Sequence, residues 1–512
     1  MKYFLGLDNG GTTTKAVLYT RHGEEAGHAS IDTAMKTPRP GFIERDMEEM
    51  WQANCMIIKR VISDSKVNPQ DIAGVAVCGH GKGLYLWGKD NKPAYCGIIS
   101  TDNRAWEYVD KWKRDGTERA VFNISYQHIL ACQPVALLAW MKDHEPQTLK
   151  NVRWIFECKD YIRFRLTGKA LAEITDYSGA NFVNLETRQY DRRLMGLFGL
   201  ADLWEALPPL CHATDVCGHI TTEAANLTGL AAGTPVAGGM FDIDACALAV
   251  NVVDDRHICM IAGTWSINEY PSRTAIRDGS VLMNSIFCNP EFYLIEESSA
   301  TSAVNFEWFI KSLLPELDRA KPELHEGLFD ELNAWVKGIS PQEFCPIFLP
   351  FLMASNVHPN ARACFVGISA YHTRKHLVCS IYEGIAFCHR YHLEKLLKTR
   401  ANKPESIRLA GGVANSAVWS QMFADVMQLP VETVTVRETG ALGCAMSAAV
   451  ATGIYSSLNE AASHMATIKS VFHPLARNVS AYQRKYALYL KVIDSLDNVW
   501  SEIQEMIDAD HR

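Results

Sequence analysis

Short apolar runs alternate with stretches of helical spacing from the first residues onward. Tyr3–Asp8 and Lys15–Tyr19 read as two strands around a turn rich in glycine and threonine. Met47–Ser63 repeats its apolar positions at the helical interval, and Ile72–Cys78 is a continuous apolar run of strand length. This alternation predicts an α/β fold. Past the midpoint the first unit is echoed: an apolar run at His257–Ile261, the bend Ala262-Gly263-Thr264, then Trp265–Asn268, with a glycine and a hydroxyl residue at both bends. The echo points to a duplication, hence to two related domains. The last third predicts strand, turn and helix twice over. Ser406–Ala410, Gly411-Gly412 and Asn415–Gln428 come first, followed by Val431–Val436 and the turn Glu438-Thr439-Gly440 that opens an alanine-rich helix. Ser480–Asp508, periodic and of mixed charge, reads as a terminal surface helix.

A chain of 512 residues is too long for one ordinary core, which agrees with two domains, placed at residues 1–248 and 249–512 without an obvious linker. Hydrophobic residues at 48% and charged residues at 21% are ordinary globular usage, and no biased tract suggests disorder. The net charge of -8 and the absence of a Lys/Arg stripe argue against a nucleic-acid partner. Tyr3–Leu7 is too short for a signal segment, and no later run nears the roughly 20 apolar residues of a membrane span, so a soluble, cytoplasmic protein is expected. The 15 cysteines are scattered, odd in number and free of CxxC pairs, which predicts buried, reduced thiols.

Chemistry concentrates in a few turns. In Leu5-Gly-Leu-Asp8-Asn-Gly-Gly11-Thr12-Thr13-Thr-Lys15, an acid ends a strand, glycines let backbone N–H groups face outward, and three hydroxyls and a cation follow. Such a set can cradle phosphate oxygens, with Asp8 available to Mg²⁺ through water, although an ordinary hairpin turn is the plainer alternative. No GxxxxGK[ST] is present, and Gly411-Gly412-Val-Ala-Asn415 lacks the glycine spacing of a dinucleotide fingerprint. Those paired glycines suit either an adenine lying flat on the backbone or close packing.

In Gly238-Gly-Met-Phe-Asp242-Ile-Asp244 an acid stands where a small-residue helix begins, and the helix N–H groups would hold it as a carboxylate able to take a proton. A helix-capping aspartate is the structural alternative. Asp244 is two positions on and off that face, so the chemistry falls on Asp242. His80 and Lys82 in Cys78-Gly-His-Gly-Lys-Gly83, and Asp102 and Arg104 in Ser100-Thr-Asp-Asn-Arg104, follow apolar strands, where open α/β sheets bind ligands. The alternative is polar loop decoration.

Taken in order, these segments resemble the FGGY family of carbohydrate kinases over nearly the whole chain. The family's second signature is met throughout, at Ala363-x-Phe365-x-Gly367-Ile368 and, after seven residues, His376-Leu377-x-x-Ser380-Ile381-Tyr382-Glu383. The first is partly kept: Pro134, Trp140, Asp143 and His144 fall in place, while Leu137 stands where lysine is usual and Cys132 is atypical. The resemblance implies two actin-like ATPase (ribonuclease H-like) domains with a central cleft, and ATP and Mg²⁺ as cofactors. A homodimer is common among such relatives. By resemblance Asp8, Gly11, Thr12, Thr13 and Lys15 form the first phosphate segment and Gly263-Thr264 the second. Gly411, Gly412 and Asn415 would meet adenosine, Asp242 is the catalytic base, and His80, Lys82, Asp102 and Arg104 face the sugar.

Within the family, Gly79-His-Gly-Lys-Gly83, Glu44-Arg-Asp-Met47, Gly239-Met-Phe-Asp242 and Asn305-x-Glu-Trp308 look most like the L-xylulose kinase branch. Other ketopentuloses (D-xylulose, ribulose) and polyols such as erythritol or ribitol remain alternatives. An actin-like nucleotide switch is the rival of another class.

Overall fold

The run Tyr3–Asn9 is buried along most of its length, as befits a central strand covered on both faces. It pairs antiparallel with Thr13–Thr20 and parallel with Ile72–Gly79. The computed structural model describes residues 2–314, 325–353, 355 and 357–510. By internal contacts the chain forms two units. The first comprises Met1–Asp254, Pro271–Ile295 and Glu438–Thr467, and the second Asp255–Tyr270, Glu296–Arg437 and Ile468–Arg512.

The main sheet of the first unit runs in the order Val216–His219, Pro235–Ala237, Ile72–Gly79, Tyr3–Asn9, Thr13–Thr20, Glu25–Asp32. In the second unit the order is Tyr293–Ser299, Ser266–Ser272, His257–Ala262, Ser406–Ala410, Val431–Val434, Ile468–Phe472. His257–Ala262 pairs antiparallel with Ser266–Ser272 and parallel with Ser406–Ala410, which pairs parallel with Val431–Val434. Each sheet therefore starts from an antiparallel hairpin and adds parallel strands on its other side, and the resemblance of the two glycine bends extends to the topology.

Local chemistry explains where elements begin and end. Helix Met47–Ser65 starts at Met47 because the Asp46 carboxylate accepts the N–H groups of Glu48 and Glu49, and it stops where Lys66 turns left-handed. The helix expected over Asn415–Gln428 is shorter. A 3-10 turn occupies Gly412–Asn415, then the Ser416 hydroxyl caps Trp419 N–H and the α-helix spans Ala417–Met427. The terminal helix is longer than expected, at Ala476–Asp510. All 15 cysteines are free and most are buried. No described helix is long and apolar enough to cross a membrane.

The second signature is a packing element. Glu383 is buried and ion-paired with Lys485 at 2.5 Å, and Tyr382 stacks on Trp419 with ring centroids 3.8 Å apart. Leu137, standing where the first signature has lysine, is fully buried, so a hydrophobe suits that position.

Helix Thr439–Ala451 returns late in the sequence to pack in the first unit. A Cβ at Gly443 would lie 2.3 Å from the carbonyl oxygen of Ala245, a backbone atom that cannot rotate away. Alanine gains about 0.8–1.0 kcal/mol over glycine in helix propensity, whereas overpacking of this kind costs about 1–3 kcal/mol. Gly443→Ala is therefore expected to destabilise the protein, read as a lower urea midpoint by circular dichroism. An unchanged or raised midpoint would show that the interface can yield.

Candidate active site

Strand register brings the predicted acids together. Asp8 lies opposite Cys78, and Met240 and Phe241 pair with Cys78 and Gly79 from the other side. Asp8, His80 and Asp242 thus stand at the carboxyl ends of neighbouring strands, the usual ligand edge of an open α/β sheet. Gly239 makes this approach possible. Its φ of +73° suits glycine, and a Cβ there would sit 1.9 Å from the carbonyl oxygen of Val77.

Asp242 is the first residue of helix Asp242–Ala249, with Phe241 at the cap position. Burial raises its carboxyl well above the ordinary range. Asp8 and Asp176 add to the rise, while Lys82 and the Ile243 N–H act against it. The helix start alone therefore does not set its charge. Asp8 is also raised, chiefly by burial, with Lys15 opposing and Glu438 adding to the effect. Lys15 donates to Glu438 at 2.6 Å. Burial disfavours its charge, but Asp8 and Glu438 outweigh that and hold it protonated.

The turn residues divide by exposure. Thr12 is exposed and a Cβ on Gly11 would meet nothing within 4 Å, whereas the Thr13 hydroxyl donates to Asp32 at 3.2 Å. In the second unit Thr264 is exposed at the matching bend, Gly263 has open space where a side chain would be, and the Gly263 carbonyl accepts the Ala303 N–H at 2.8 Å. Gly411 and Gly412 differ in role. Gly411 has φ +86° and its Cβ would lie 2.5 Å from the Ala262 carbonyl oxygen, so close packing requires glycine; Gly412 is exposed and open, and Asn415 is exposed after it.

The sugar-side candidates in the first unit are buried and already bonded. His80 Nε2 shares a 2.8 Å hydrogen bond with the Tyr85 hydroxyl, and burial, aided by Arg45, pushes the imidazole down to about 3, leaving it neutral. The Lys82 N–H donates to Glu157 at 2.9 Å, and its ammonium lies 5.4 Å from the centre of the Phe241 ring. Arg104 grips Asp102 with Nε and Nη2, at 3.0 and 2.8 Å, and reaches Glu44 at 2.8 Å. Its guanidinium carbon lies 4.2 Å from the ring centre of Phe42 and 5.2 Å from that of Trp140, a first-signature residue. Arg104 Nη1 is buried with no hydrogen-bond partner among the described residues.

Sequence reasoning passed over the support beneath Asp242. Lys159 lies 2.5 Å from Asp176, 2.9 Å from Asp160 and 3.5 Å from Glu173, and Arg163 bonds Asp160 at 2.6 Å and the Gly238 carbonyl. Thr175 accepts the Phe241 N–H at 2.8 Å. The available signal was Glu157-Cys-Lys-Asp-Tyr-Ile-Arg163, a helical stretch whose charges would have to face the core.

The raised Asp242 has a consequence for stability. A carboxyl raised on folding costs stability once it ionises: the penalty is absent below the unfolded value of about 3.9 and grows as pH rises toward the folded one. Asp242→Asn is expected to raise Tm by a few degrees at about pH 8 and to leave it unchanged near pH 4. A lowered Tm at the higher pH would contradict this electrostatic account.

Residues 3–249 match the N-terminal domain and residues 258–452 the C-terminal domain of the FGGY family of carbohydrate kinases. The L-xylulose/3-keto-L-gulonate kinase of Escherichia coli (strain K12) is 36% identical over 506 residues, covering 98% of this chain and 99% of that protein. A probable L-xylulose kinase of Haemophilus influenzae is 34% identical over 502 residues, covering 98% of this chain and all of the other. The crystal structure of ligand-bound xylulose kinase from Lactobacillus acidophilus shares the fold with a TM-score of 0.86 at 23% identity, covering 98% of this chain and 100% of that one. The chain belongs to the FGGY family of carbohydrate kinases and is a sugar phosphotransferase with ATP as the phosphoryl donor.

Proposed function

We propose that the protein transfers the γ-phosphoryl group of Mg-ATP to the terminal C5 hydroxyl of a ketopentose, namely L-xylulose, giving L-xylulose 5-phosphate and ADP. The observation that carries this reading is the pair Asp8 and Asp242 at adjacent strand ends, in a chain whose 34–36% identical relatives include proteins named for L-xylulose. Asp242 is the general base. It takes the hydroxyl proton as the oxygen attacks phosphorus, the new O–P bond forms and the bond to the β-phosphate oxygen breaks. Its raised affinity for a proton makes it a stronger base, at the cost of activity on the acid side.

Gly11, Thr12, Thr13 and Lys15 form a first phosphate segment, and Gly263 and Thr264 a second. Gly412 and Asn415 meet adenosine, while Gly411 shapes the backbone beneath them. His80, Lys82, Asp102 and Arg104 face the sugar. A magnesium ion fits the donor set: carboxylate oxygens are its preferred protein ligands, and Asp8 and Asp242 repel one another until a cation is present. Asp8 would hold it through water, and the ion would neutralise the nucleotide phosphates. The reduced cysteines suit a cytoplasmic setting.

The Escherichia coli relative is also named for 3-keto-L-gulonate, a sugar acid. Here Arg104 is already matched by Asp102 and Glu44. Its remaining donor, Nη1, suits a neutral hydroxyl, and the local charge disfavours a carboxylate.

The test is coupled ADP release with Mg-ATP against L-xylulose, D-xylulose, ribulose, 3-keto-L-gulonate, erythritol and ribitol. L-xylulose is expected to give the highest kcat/KM. Asp242→Asn is expected to lose about 10³-fold or more in kcat while still binding ATP. Turnover independent of any sugar would favour an actin-like nucleotide switch, and an active Asp242→Asn variant would remove the base assignment.

A further inference from the structure

The backbone just before Asp242 is held by backbone carbonyls and side chains that belong to no phosphate or sugar segment. Gly238 donates its N–H to the Asp215 carbonyl at 2.9 Å, Gly239 donates to the Ala213 carbonyl at 3.1 Å, and Arg163 binds the Gly238 carbonyl. One bond reaches the residue adjoining the base: the Phe241 N–H donates to Thr175 Oγ1 at 2.8 Å. Thr175 is fully buried on the short helix Ile174–Ser178, and Phe241 is 4% exposed.

The direction of this bond is enforced. The Thr175 hydroxyl donates its own proton to Glu173 Oε2 at 2.5 Å, and the Thr175 N–H donates to the same oxygen at 3.2 Å. A peptide N–H can only donate, so the hydroxyl oxygen accepts from Phe241 while its own proton goes to Glu173. Glu173 is in turn fixed within 3.5 Å of the Lys159 ammonium. The chain from Lys159 through Glu173 and Thr175 to the Phe241 peptide ends at the residue bonded to Asp242.

We propose that Thr175 is a positioning residue for phosphoryl transfer: its hydroxyl fixes the peptide on which Asp242 is mounted and so aims the carboxylate at the acceptor hydroxyl. This rests on Asp242 being the base. Removing the oxygen leaves a buried N–H unsatisfied, and the peptide gains reason to rotate toward another partner. The Asp242 carboxylate then shifts by a fraction of an ångström to an ångström, a displacement that costs up to about 100-fold in rate. Groups that bind ATP and sugar elsewhere are untouched, so the loss falls on kcat.

The experiment uses the full chain with Mg-ATP and L-xylulose, comparing wild type, Thr175→Val, Thr175→Ala, Thr175→Ser and Asp242→Asn by steady-state kinetics, with Tm measured for each. Thr175→Val is expected to lose about 10- to 100-fold in kcat with both KM values within about two-fold of wild type, and Thr175→Ser, which keeps the hydroxyl, to recover most of the rate. If the valine variant does not fold, the alanine variant, which only removes atoms, carries the same expectation. A lowered Tm with wild-type kcat in the folded variant, or a serine variant as slow as the valine one, would overturn the positioning role. Activity retained in Asp242→Asn would instead overturn the assignment of the base, whatever Thr175 does.

Discussion

The arrangement at the ligand edge depends on one steric fact: helix Thr439–Ala451 lies against its neighbours at distances that admit no side chain. A Cβ at Gly6 would come 1.9 Å from the Ala441 carbonyl oxygen, one at Gly443 would meet Ala245, and one at Gly440 would lie 2.7 Å from Asp8 Oδ2. The same helix therefore touches the strand that carries Asp8 near its end and the helix that begins with Asp242. It ties the two acids to a common frame although they are far apart in the chain. Its first turn also brings Glu438 to Lys15, so the cation of the first turn is neutralised by the element that fixes the geometry. Interiors this tightly packed are stiff, which suits the role of base proposed for Asp242.

Holding two buried carboxylates in that frame is unfavourable: burial is the chief cause that raises both Asp8 and Asp242, and the charge of Asp8 adds to the rise at Asp242. The layer beneath is organised to bear the load. Lys159 is surrounded by Asp160, Glu173 and Asp176, and Arg163 joins Asp160 to the glycine turn. Loss of Lys159 would leave buried carboxylates uncompensated, a penalty of about 3–5 kcal/mol and larger than the value of a typical surface ion pair. Asp176, which both contacts Lys159 and raises Asp242, links the charge of this network to that of Asp242.

What the sequence made legible was local. The strand–turn–strand units, the paired-glycine turns and the acids at Asp8 and Asp242 each lie within about ten residues, where period and turn chemistry speak directly. The second signature identified the family, yet its residues Tyr382 and Glu383 serve packing in the second unit, so what was most diagnostic was not what is chemical. Partners remote in sequence stayed hidden. Glu438 is 423 positions from Lys15, and the Arg163 and Thr175 contacts to Gly238 and Phe241 have no counterpart in spacing. The glycine pair at 411 and 412 was likewise undivided until the Ala262 carbonyl showed which of the two needs its bare backbone.

The groups proposed to face the sugar have already spent most of their hydrogen bonds within the protein. His80 is neutral and bonded to Tyr85, and Asp102 is saturated by Arg104 and the Ile43 N–H at 2.7 Å. These groups give shape and polarity more than free hydrogen bonds. Among the described residues Arg104 Nη1 is buried without a hydrogen-bond partner, and the rings of Phe42 and Trp140 lie beside its guanidinium. A buried donor without a partner penalises every ligand that fails to meet it more than it rewards the one that does. On the proposed sugar-side role of Arg104, discrimination among ketoses and polyols of similar length would turn on which places a hydroxyl at that nitrogen.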